Sequence, residues 1–278
     1  MNTSKLNRLE HFVADFSKES KLLTGEQLHC KLDDIDQIHG LYSPLALGFA
    51  AALACGAFTF LLGAGYICSM LFIIPGFPFI TSGIDLAKLD MRFGLERLAY
   101  AILVVMVATL AAWMMALLLH LTPVDFMNLH LNTTQYLLFR LIASFCGVFG
   151  FSVMFNSPLK LAATAAAIGA VSNTLRLEMV DLSTCPPAIA AFLGALTAGL
   201  LASLLKAYVG YPRVSITVPS IVIMVPGLYL YKAIYNLGIM SLSDGAVWMT
   251  SALLIIAALP LGLIFARIIT DKTFRYCT

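Results

Sequence analysis

Charged side chains that interrupt long apolar runs are the residues of this sequence best suited to chemistry. Asp85 and Lys88 follow one such run, and Lys232 lies inside another. A charged group at the centre of a bilayer costs about 2.5–3.5 kcal/mol on the insertion scale, so such groups usually have a function. Burial favours the neutral form of a carboxyl group, as proton coupling requires, and a lysine suits a substrate that carries a carboxylate. These residues indicate a site for a proton and a small charged molecule.

Both charged positions also have a simpler interpretation. At 1.5 Å per residue, Asp85 lies about 15 Å along a helix from Pro75, which places it near a solvated loop at the membrane edge. Lys232 can extend its ammonium group to the membrane interface. On a helix that continues to Glu96, Asp85 would share a face with Lys88 and pair with it. The sequence alone is compatible with both interpretations.

Each charged stretch follows a Pro-Gly pair that should break a helix. Pro75-Gly76 and Pro226-Gly227 lie 151 residues apart, and each glycine is followed 18 residues later by another, Gly94 or Gly245. Proline removes a backbone donor and clashes with the preceding turn, while glycine costs about 1 kcal/mol in a helix. A helix broken within a membrane exposes N–H and C=O groups that can bind a substrate.

The same shift of 151 residues aligns Asp85 with Asn236, so each copy has a polar side chain ten residues after its proline. The candidate substrate- and ion-binding residues are those of the two breaks and the polar residues after them: Pro75, Gly76, Ser82, Asp85, Lys88, Pro226, Gly227, Lys232 and Asn236. The alternative is a pair of proline-kinked helices in a channel, a sensor or a scaffold.

The composition places these elements in a membrane. Of the residues 60% are hydrophobic and 12% charged, and the mean hydropathy is +0.90. A hydrocarbon core of about 30 Å needs roughly 20 apolar residues per helix, and the charge-poor runs are of that length. A soluble domain is excluded, and an all-α polytopic membrane protein is predicted.

Eight hydrophobic segments are expected. Six are uninterrupted: Leu45 to Ala64, Arg97 to Leu121, Leu137 to Asn156, Lys160 to Leu175, Pro187 to Ala207 and Ala246 to Ile268. Two contain the Pro-Gly breaks: Tyr66 to Ile84 and Thr217 to Asn236.

The distribution of positive charge predicts the topology, because short cytoplasmic loops carry an excess of Lys and Arg. If both broken segments span, only Arg140, Arg176 and Lys232 of the 17 Lys and Arg residues lie on the outer side. If both re-enter instead, the bias almost disappears. The spanning arrangement places both termini in the cytoplasm and the two breaks in opposite orientations, which is the inverted repeat of secondary transporters.

This topology divides the chain into five parts. They are a cytoplasmic N-terminal region (1–44), a first repeat (45–121), an extracytoplasmic loop (122–136), a second repeat of five segments (137–268) and a cytoplasmic tail (269–278). In the first part, apolar residues recur at helical spacing between about residues 4 and 22. We expect an amphipathic helix there that packs on the bundle.

No enzymatic or cofactor site is expected. The six cysteines and five histidines are scattered without metal-ligand or redox spacing. No phosphate-binding glycine loop followed by Lys-Ser or Lys-Thr is present, which argues against ATP-driven transport on this chain. Neither a metal ion nor a nucleic acid is an expected partner.

The residues around the first break resemble a known family. The stretch Met70 to Ile80, with Ser82 to Leu86 and Gly94 to Arg97, is similar to the end of the first half of the threonine/serine exporter (ThrE) family. Pro219 to Gly227, with Tyr231, is similar to the Pro-Gly element of the second half. The resemblance covers most of residues 45 to 268.

The resemblance implies export of threonine and serine across the inner or plasma membrane, driven by the proton motive force through antiport. Two-subunit relatives that export dicarboxylates such as succinate make a succinate-like substrate the close alternative. The family has about five spans in each half, whereas the first half here has three. The resemblance therefore also implies a second chain that supplies helices, a homo-oligomer, or a shortened, non-transporting assembly partner.

Overall fold

The computed structural model describes residues 2–19, 24–62, 76–118 and 132–271, and all regular structure in these ranges is helical. The elements are α1 Thr3–Glu19, α2 Gly25–Asp36, α3 Pro44–Leu62, α4 Gly76–Ala87, α5 Met91–Leu118, α6 Thr133–Met154, α7 Leu159–Ser183, α8 Pro187–Val209, α9 Arg213–Ile221, a 3-10 turn Val222–Met224, α10 Gly227–Gly238 and α11 Leu242–Thr270. The predicted all-α fold class is confirmed.

Five helices of the described residues are long and apolar enough to cross a membrane, namely α3, α5, α6, α8 and α11. The bent pair that joins α9 to α10 would be a sixth if it forms one span. Of the eight predicted segments, the first broken one lies largely outside the described residues. The helix α7 has membrane length but carries Arg176, Glu178 and Asp181 near its end. A multi-pass membrane protein follows from these helices.

Small residues bring α7 into the centre of the bundle, against α6, α8 and α9. Ala162, Ala165 and Ala166 are fully buried. At Gly169 an added Cβ would lie 2.7 Å from the carbonyl oxygen of Ser220 in α9, so only glycine permits this approach. Small residues allow membrane helices to pack closely.

The N-terminal helix α1 is packed on the bundle, as expected. Thr3 is buried, its hydroxyl donates to Ser157 Oγ at 2.9 Å and its N–H donates to the carbonyl oxygen of Phe155 at 2.9 Å. The Lys5 ammonium pairs with Asp36 of α2 at 2.9 Å. These bonds fix the start of α1 on the connection between α6 and α7.

The second break is a bend of 42° between α9 and α10. Pro226 has φ −80° and ψ 52°, and the N–H of Gly227 donates to the carbonyl oxygen of Val225 at 2.8 Å, which forms an inverse γ-turn. In a continuous helix that N–H would bond to Ile223 instead. The predicted interruption at Pro226-Gly227 is confirmed. Pro75 lies outside the described residues, and α4 begins at Gly76.

Candidate functional site

Gly76, the described residue of the first Pro-Gly pair, packs against the second break. A Cβ added at Gly76 would lie 2.7 Å from Cγ2 of Val222 and 3.0 Å from Cγ2 of Val225, so the start of α4 rests directly on the 3-10 turn before Pro226. No larger residue fits this contact without displacing one of the breaks. The sequence predicted a site at both Pro-Gly pairs, and the structure brings the described parts of them together.

Two helical hairpins extend from this contact, and their backbones are alike. We call α4 with α5 the first hairpin and α10 with α11 the second hairpin. Leu89 and Met240, 151 residues apart, connect the helices of each, and both have φ 64°. An added Cβ at Gly94 or at Gly245 would lie 2.8 Å from the leucine eight residues earlier. The repeat seen in the sequence is therefore also a repeat of local structure.

A cavity of about 300 Å³ lies between the first hairpin and α1. Asp85, Lys88, Thr81 and Arg97 line one side, and Lys5 of α1 lines the other. Three of these side chains are cationic and one is anionic. Arg97 is paired with Asp85 and Lys5 with Asp36, so the positive excess of this lining comes from Lys88, which suits a ligand that carries a carboxylate.

The partner of Asp85 in this cavity differs from the sequence prediction. Asp85 Oδ2 lies 2.6 Å from Nη1 of Arg97, whereas pairing with Lys88 was expected. That expectation was wrong because α4 ends at Ala87, and the chain turns at Leu89 before α5 begins. The turn folds Arg97 back against Asp85, and the carboxylate pairs with it although Lys88 lines the same cavity.

The other predicted residue of the first hairpin, Ser82, does not line the cavity. Its side chain is buried, and its hydroxyl donates to the carbonyl oxygen of Phe79 in its own helix at 2.9 Å. The neighbouring Thr81 faces the cavity instead. Ser82 is therefore placed for helix packing in this conformation.

In the second hairpin, Lys232 contacts aromatic side chains. Its Nζ lies 4.6 Å from the ring centroid of Trp248, and Trp248 packs edge-on against Tyr229 with the centroids 5.3 Å apart. The Asn236 side chain donates to the carbonyl oxygen of Lys232 at 2.7 Å. The ammonium is thus held by a cation–π contact, and Asn236 is engaged within its own helix.

A buried polar cluster in α6 and α7 was not predicted from the sequence. Arg140 pairs with Glu178 at 2.8 Å and with Asp181. Arg176 donates from Nε to Asn173 Oδ1 at 3.1 Å. The predicted segment Lys160 to Leu175 ends one residue before Arg176.

One signal could have revealed this cluster. The three cations that the charge distribution leaves on the outer side are Arg140, Arg176 and Lys232. In the structure, each of them makes a specific contact: with two carboxylates, with an amide, and with an indole ring, respectively. Their exception to the positive-inside rule is a reason to inspect these three residues, although cations assigned to the inner side, such as Arg97, also form pairs.

The described part of the chain contains no group of three or more His, Cys, Asp or Glu side chains that could hold a metal ion. The chemistry available is that of charged side chains, hydroxyls and the backbone of the breaks.

Comparison with protein families accounts for nearly the whole chain. Residues 140–269 match a family model described as Threonine/Serine exporter, ThrE. Residues 1–67 and 64–119 match a second ThrE model, also described as a threonine/serine exporter. No curated protein and no solved structure matches the chain. The two matches cover both Pro-Gly breaks and both hairpins, and the chain belongs to the threonine/serine exporter (ThrE) family.

Proposed function

We propose that this protein is a secondary transporter that exports threonine and serine from the cytoplasm in exchange for protons. The observation that carries the proposal is the contact between Gly76 and Val222, which joins the two breaks beside an electropositive cavity. Discontinuous helices that meet near the membrane midplane are the usual binding element of secondary transporters.

The breaks supply groups for both ends of an amino acid. The helix α10 begins at Gly227, so its N-terminus, with its partial positive charge, lies at the second break and favours a carboxylate. Gly76, the first described residue of α4, lies against the turn that precedes this terminus. The bend before Pro226 removes carbonyl groups from the helical hydrogen-bond pattern, and such carbonyls suit an ammonium group. Rocking of the two repeats around this point would expose it to each side in turn.

Asp85 is the proposed coupling residue. Its side chain is 20% exposed and its carboxylate is paired with Arg97, so protonation from the cavity would release this pair. Because protonation would remove the negative charge that holds Arg97, the position of Arg97 would report the proton load. This provides a physical link between a proton and the shape of the first hairpin.

The proposed topology follows the charge distribution, with both termini in the cytoplasm of the inner or plasma membrane and the two hairpins in opposite orientations. The connections contacted by α1, at Phe155 to Ser157 and near Tyr211, lie at the end of the bundle assigned to the cytoplasm. Labelling of single cysteines introduced at Lys88 and at Met240 from either side of the membrane tests this orientation. The first should react only from inside and the second only from outside.

Export is tested in proteoliposomes with labelled threonine and an imposed pH gradient. The wild type should transport threonine in the direction opposite to the proton flow that the imposed pH gradient drives. Asp85→Asn should lose this response to the pH gradient. Glu96→Gln is the matched control, since Glu96 is an exposed carboxylate one helix turn from Arg92 and pairs with it. An inserted wild-type protein that moves no threonine and no serine would contradict the proposal.

The second candidate is a subunit of a larger assembly, either a succinate-like dicarboxylate exporter or a partner that does not itself transport. It is favoured by the exposure of the first half. Within the described chain, 22% of the residues in the most apolar stretch of α3 and of α5 are buried. The corresponding share is 39–44% for α6, α8 and α11. A second chain or a second copy would cover these helices. Chemical cross-linking in native membranes, followed by mass analysis, distinguishes a homo-oligomer from a complex with another protein.

A further inference from the structure

The helix α7 holds an arginine inside the bundle. Arg176 is 8% exposed. Its Nε donates to Asn173 Oδ1 at 3.1 Å, and Asn173 Nδ2 donates in turn to Ser144 Oγ of α6 at 2.8 Å. Asn173 and Ser144 are themselves buried. This chain of bonds fixes one edge of the guanidinium group and leaves the two terminal nitrogens for another partner.

The neighbouring Arg140, in contrast, has carboxylate partners for its guanidinium group. Its guanidinium pairs with Glu178 and Asp181 and lies over the ring of Tyr136 at 4.4 Å. Among the described residues, no carboxylate forms an ion pair with Arg176. Asp181, which pairs with Arg140, acts on Arg176 only through a longer-range attraction. A ligand that hydrogen-bonds the terminal nitrogens of Arg176 directly would offset more of the desolvation penalty of this buried charge.

The position of Arg176 relates it to the second break. Gly194 of α8 separates the two: its added Cβ would lie 3.3 Å from Cβ of Arg176 and 3.2 Å from Sδ of Met224, two residues before Pro226. A ligand held between the breaks would therefore have Arg176 beside it.

We propose that Arg176 binds the carboxylate of the transported molecule, with Asn173 and Ser144 as positioning residues that orient the guanidinium. This inference rests on the proposed transport function and adds a side chain to a site so far made of backbone groups. Arginine suits the role because its planar fork donates two parallel hydrogen bonds to a carboxylate and its charge persists when buried. The ligand class is a small carboxylate, either an amino acid or a dicarboxylate.

Ligand-induced thermal stabilisation tests the assignment, because a ligand that binds only the folded state raises its melting temperature. The full chain in lipid nanodiscs would be melted alone and with L-threonine, succinate or L-threoninol, in which an alcohol replaces the carboxylate. We expect the wild type to be stabilised by a carboxylate and not by threoninol. In Arg176→Gln that stabilisation should be lost, while the melting temperature without ligand stays within a few degrees of the wild type.

Arg213→Gln is the matched control. Arg213 is also partly buried and donates to Thr270 Oγ1 at 2.9 Å and to the carbonyl oxygen of Gly199 at 3.0 Å, away from the second break. This variant should retain the stabilisation by carboxylates. If Arg176→Gln does not insert, Arg176→Lys replaces it; the charge is kept without the planar fork, and the apparent affinity for the carboxylate should fall at least about tenfold.

The outcomes separate the two proposals. Stabilisation by succinate and not by threonine, lost in Arg176→Gln, supports Arg176 as a carboxylate site and contradicts threonine export. Equal stabilisation of wild type and Arg176→Gln by threonine, or equal stabilisation of the wild type by threonine and threoninol, overturns the role of Arg176 and leaves export standing. A wild type that no carboxylate stabilises overturns both.

Discussion

The two hairpins of this protein share a backbone and differ in chemistry. Asp90 N–H donates to the carbonyl oxygen of Asp85 at 3.0 Å, and 151 residues later Ser241 donates to Asn236 at 2.9 Å. Leu89, like its counterpart in the second hairpin, occupies the left-handed region that L residues rarely adopt. A strained turn that occurs twice at the same register indicates that the whole element, and not only a proline, is repeated.

The side chains at matching positions form different contacts. Arg97 of the first hairpin pairs with Asp85, whereas its counterpart Trp248 packs on Lys232 and Tyr229. One hairpin thus carries an ion pair, and the other carries a cation–π contact that does not depend on a carboxylate. The backbone is repeated, whereas the side chains at matching positions are not. We propose that proton coupling belongs to the first hairpin alone.

The largest effect should come from the contact that joins the hairpins. In Gly76→Val the new side chain has no room beside Val222, and β-branched neighbours have few alternative rotamers. Misplacing the breaks by about 1 Å should lower threonine export by roughly 100-fold. The measurement is initial export rate per inserted protein. Gly56→Val is the control, since an added Cβ there meets nothing within 4 Å, and comparable losses in both variants would contradict the prediction.

Exchanging Asp85 and Arg97 tests whether proton coupling needs a carboxylate at position 85 or only an ion pair between the two positions. Asp85→Arg with Arg97→Asp keeps both charges but moves the acid from α4 to α5. We expect stability to recover the roughly 0.2–1 kcal/mol of a partly exposed pair, while the response of export to the pH gradient stays absent. Denaturation of the single and double variants, beside transport at two pH gradients, provides both readouts. Recovery of pH-dependent export in the exchange would give Asp85 a structural role only.

The aromatic contact of the second hairpin should contribute a smaller amount. A double-mutant cycle of Lys232→Met and Trp248→Phe isolates their coupling, because the changes made to either residue alone are subtracted. Unfolding free energies should give a coupling of about 0.5–2 kcal/mol, and the pH response of export should not change. A coupling near zero would mean that the ammonium is solvated and that the hairpins differ less than the structure indicates.

The smallest effect concerns the turns that make the hairpins alike. Leu89 and Met240 are 84% and 82% exposed, so replacing either by glycine loses little packing and relieves a left-handed backbone. Relief of the left-handed conformation gains about 1–2 kcal/mol, and the greater freedom of glycine in the unfolded chain costs about 0.4–1 kcal/mol. Each change should therefore stabilise the protein by roughly 0–1.5 kcal/mol, and by similar amounts. Gly210→Ala is the reverse control, since Gly210 has φ 70° and open space around it. Unequal effects at the two turns, measured by thermal unfolding, would contradict the structural equivalence of the two hairpins.

Much of this architecture could be read from the sequence because it depends on local chemistry. Proline at position 226 cannot donate a helical bond, and the predicted break is where α9 and α10 bend. The glycines 18 residues after each break sit against the preceding helix, as a repeat required. Apolar spacing in the first 22 residues correctly predicted α1 on the bundle.

The remaining features depend on contacts between distant segments, which periodicity cannot provide. The pairing of Asp85 with Arg97 requires the chain to reverse at Leu89, a residue with no turn propensity in its sequence context. The bonds from Arg176 to Asn173 and from Asn173 to Ser144 require α6 and α7 to lie side by side. Arg176 resembled the end of a span because the helix that continues to Ser183 becomes polar after it.

The docking of α1 bears on how such a protein could have arisen. Duplication of a hairpin accounts for the two breaks and the two turns, but Lys5, Leu6 and Leu9 of α1 form a wall of the cavity and have no counterpart in either copy. The cavity is therefore built from two kinds of segment. The helix α1, which is not part of either hairpin and is fixed through Thr3 to Ser157, forms one wall, and the first hairpin contributes Asp85. An ancestral single repeat could have paired with itself around the breaks and still lacked this vestibule. The asymmetry that distinguishes one side of the membrane from the other would then have been added by the N-terminal helix, after the symmetry was already in place.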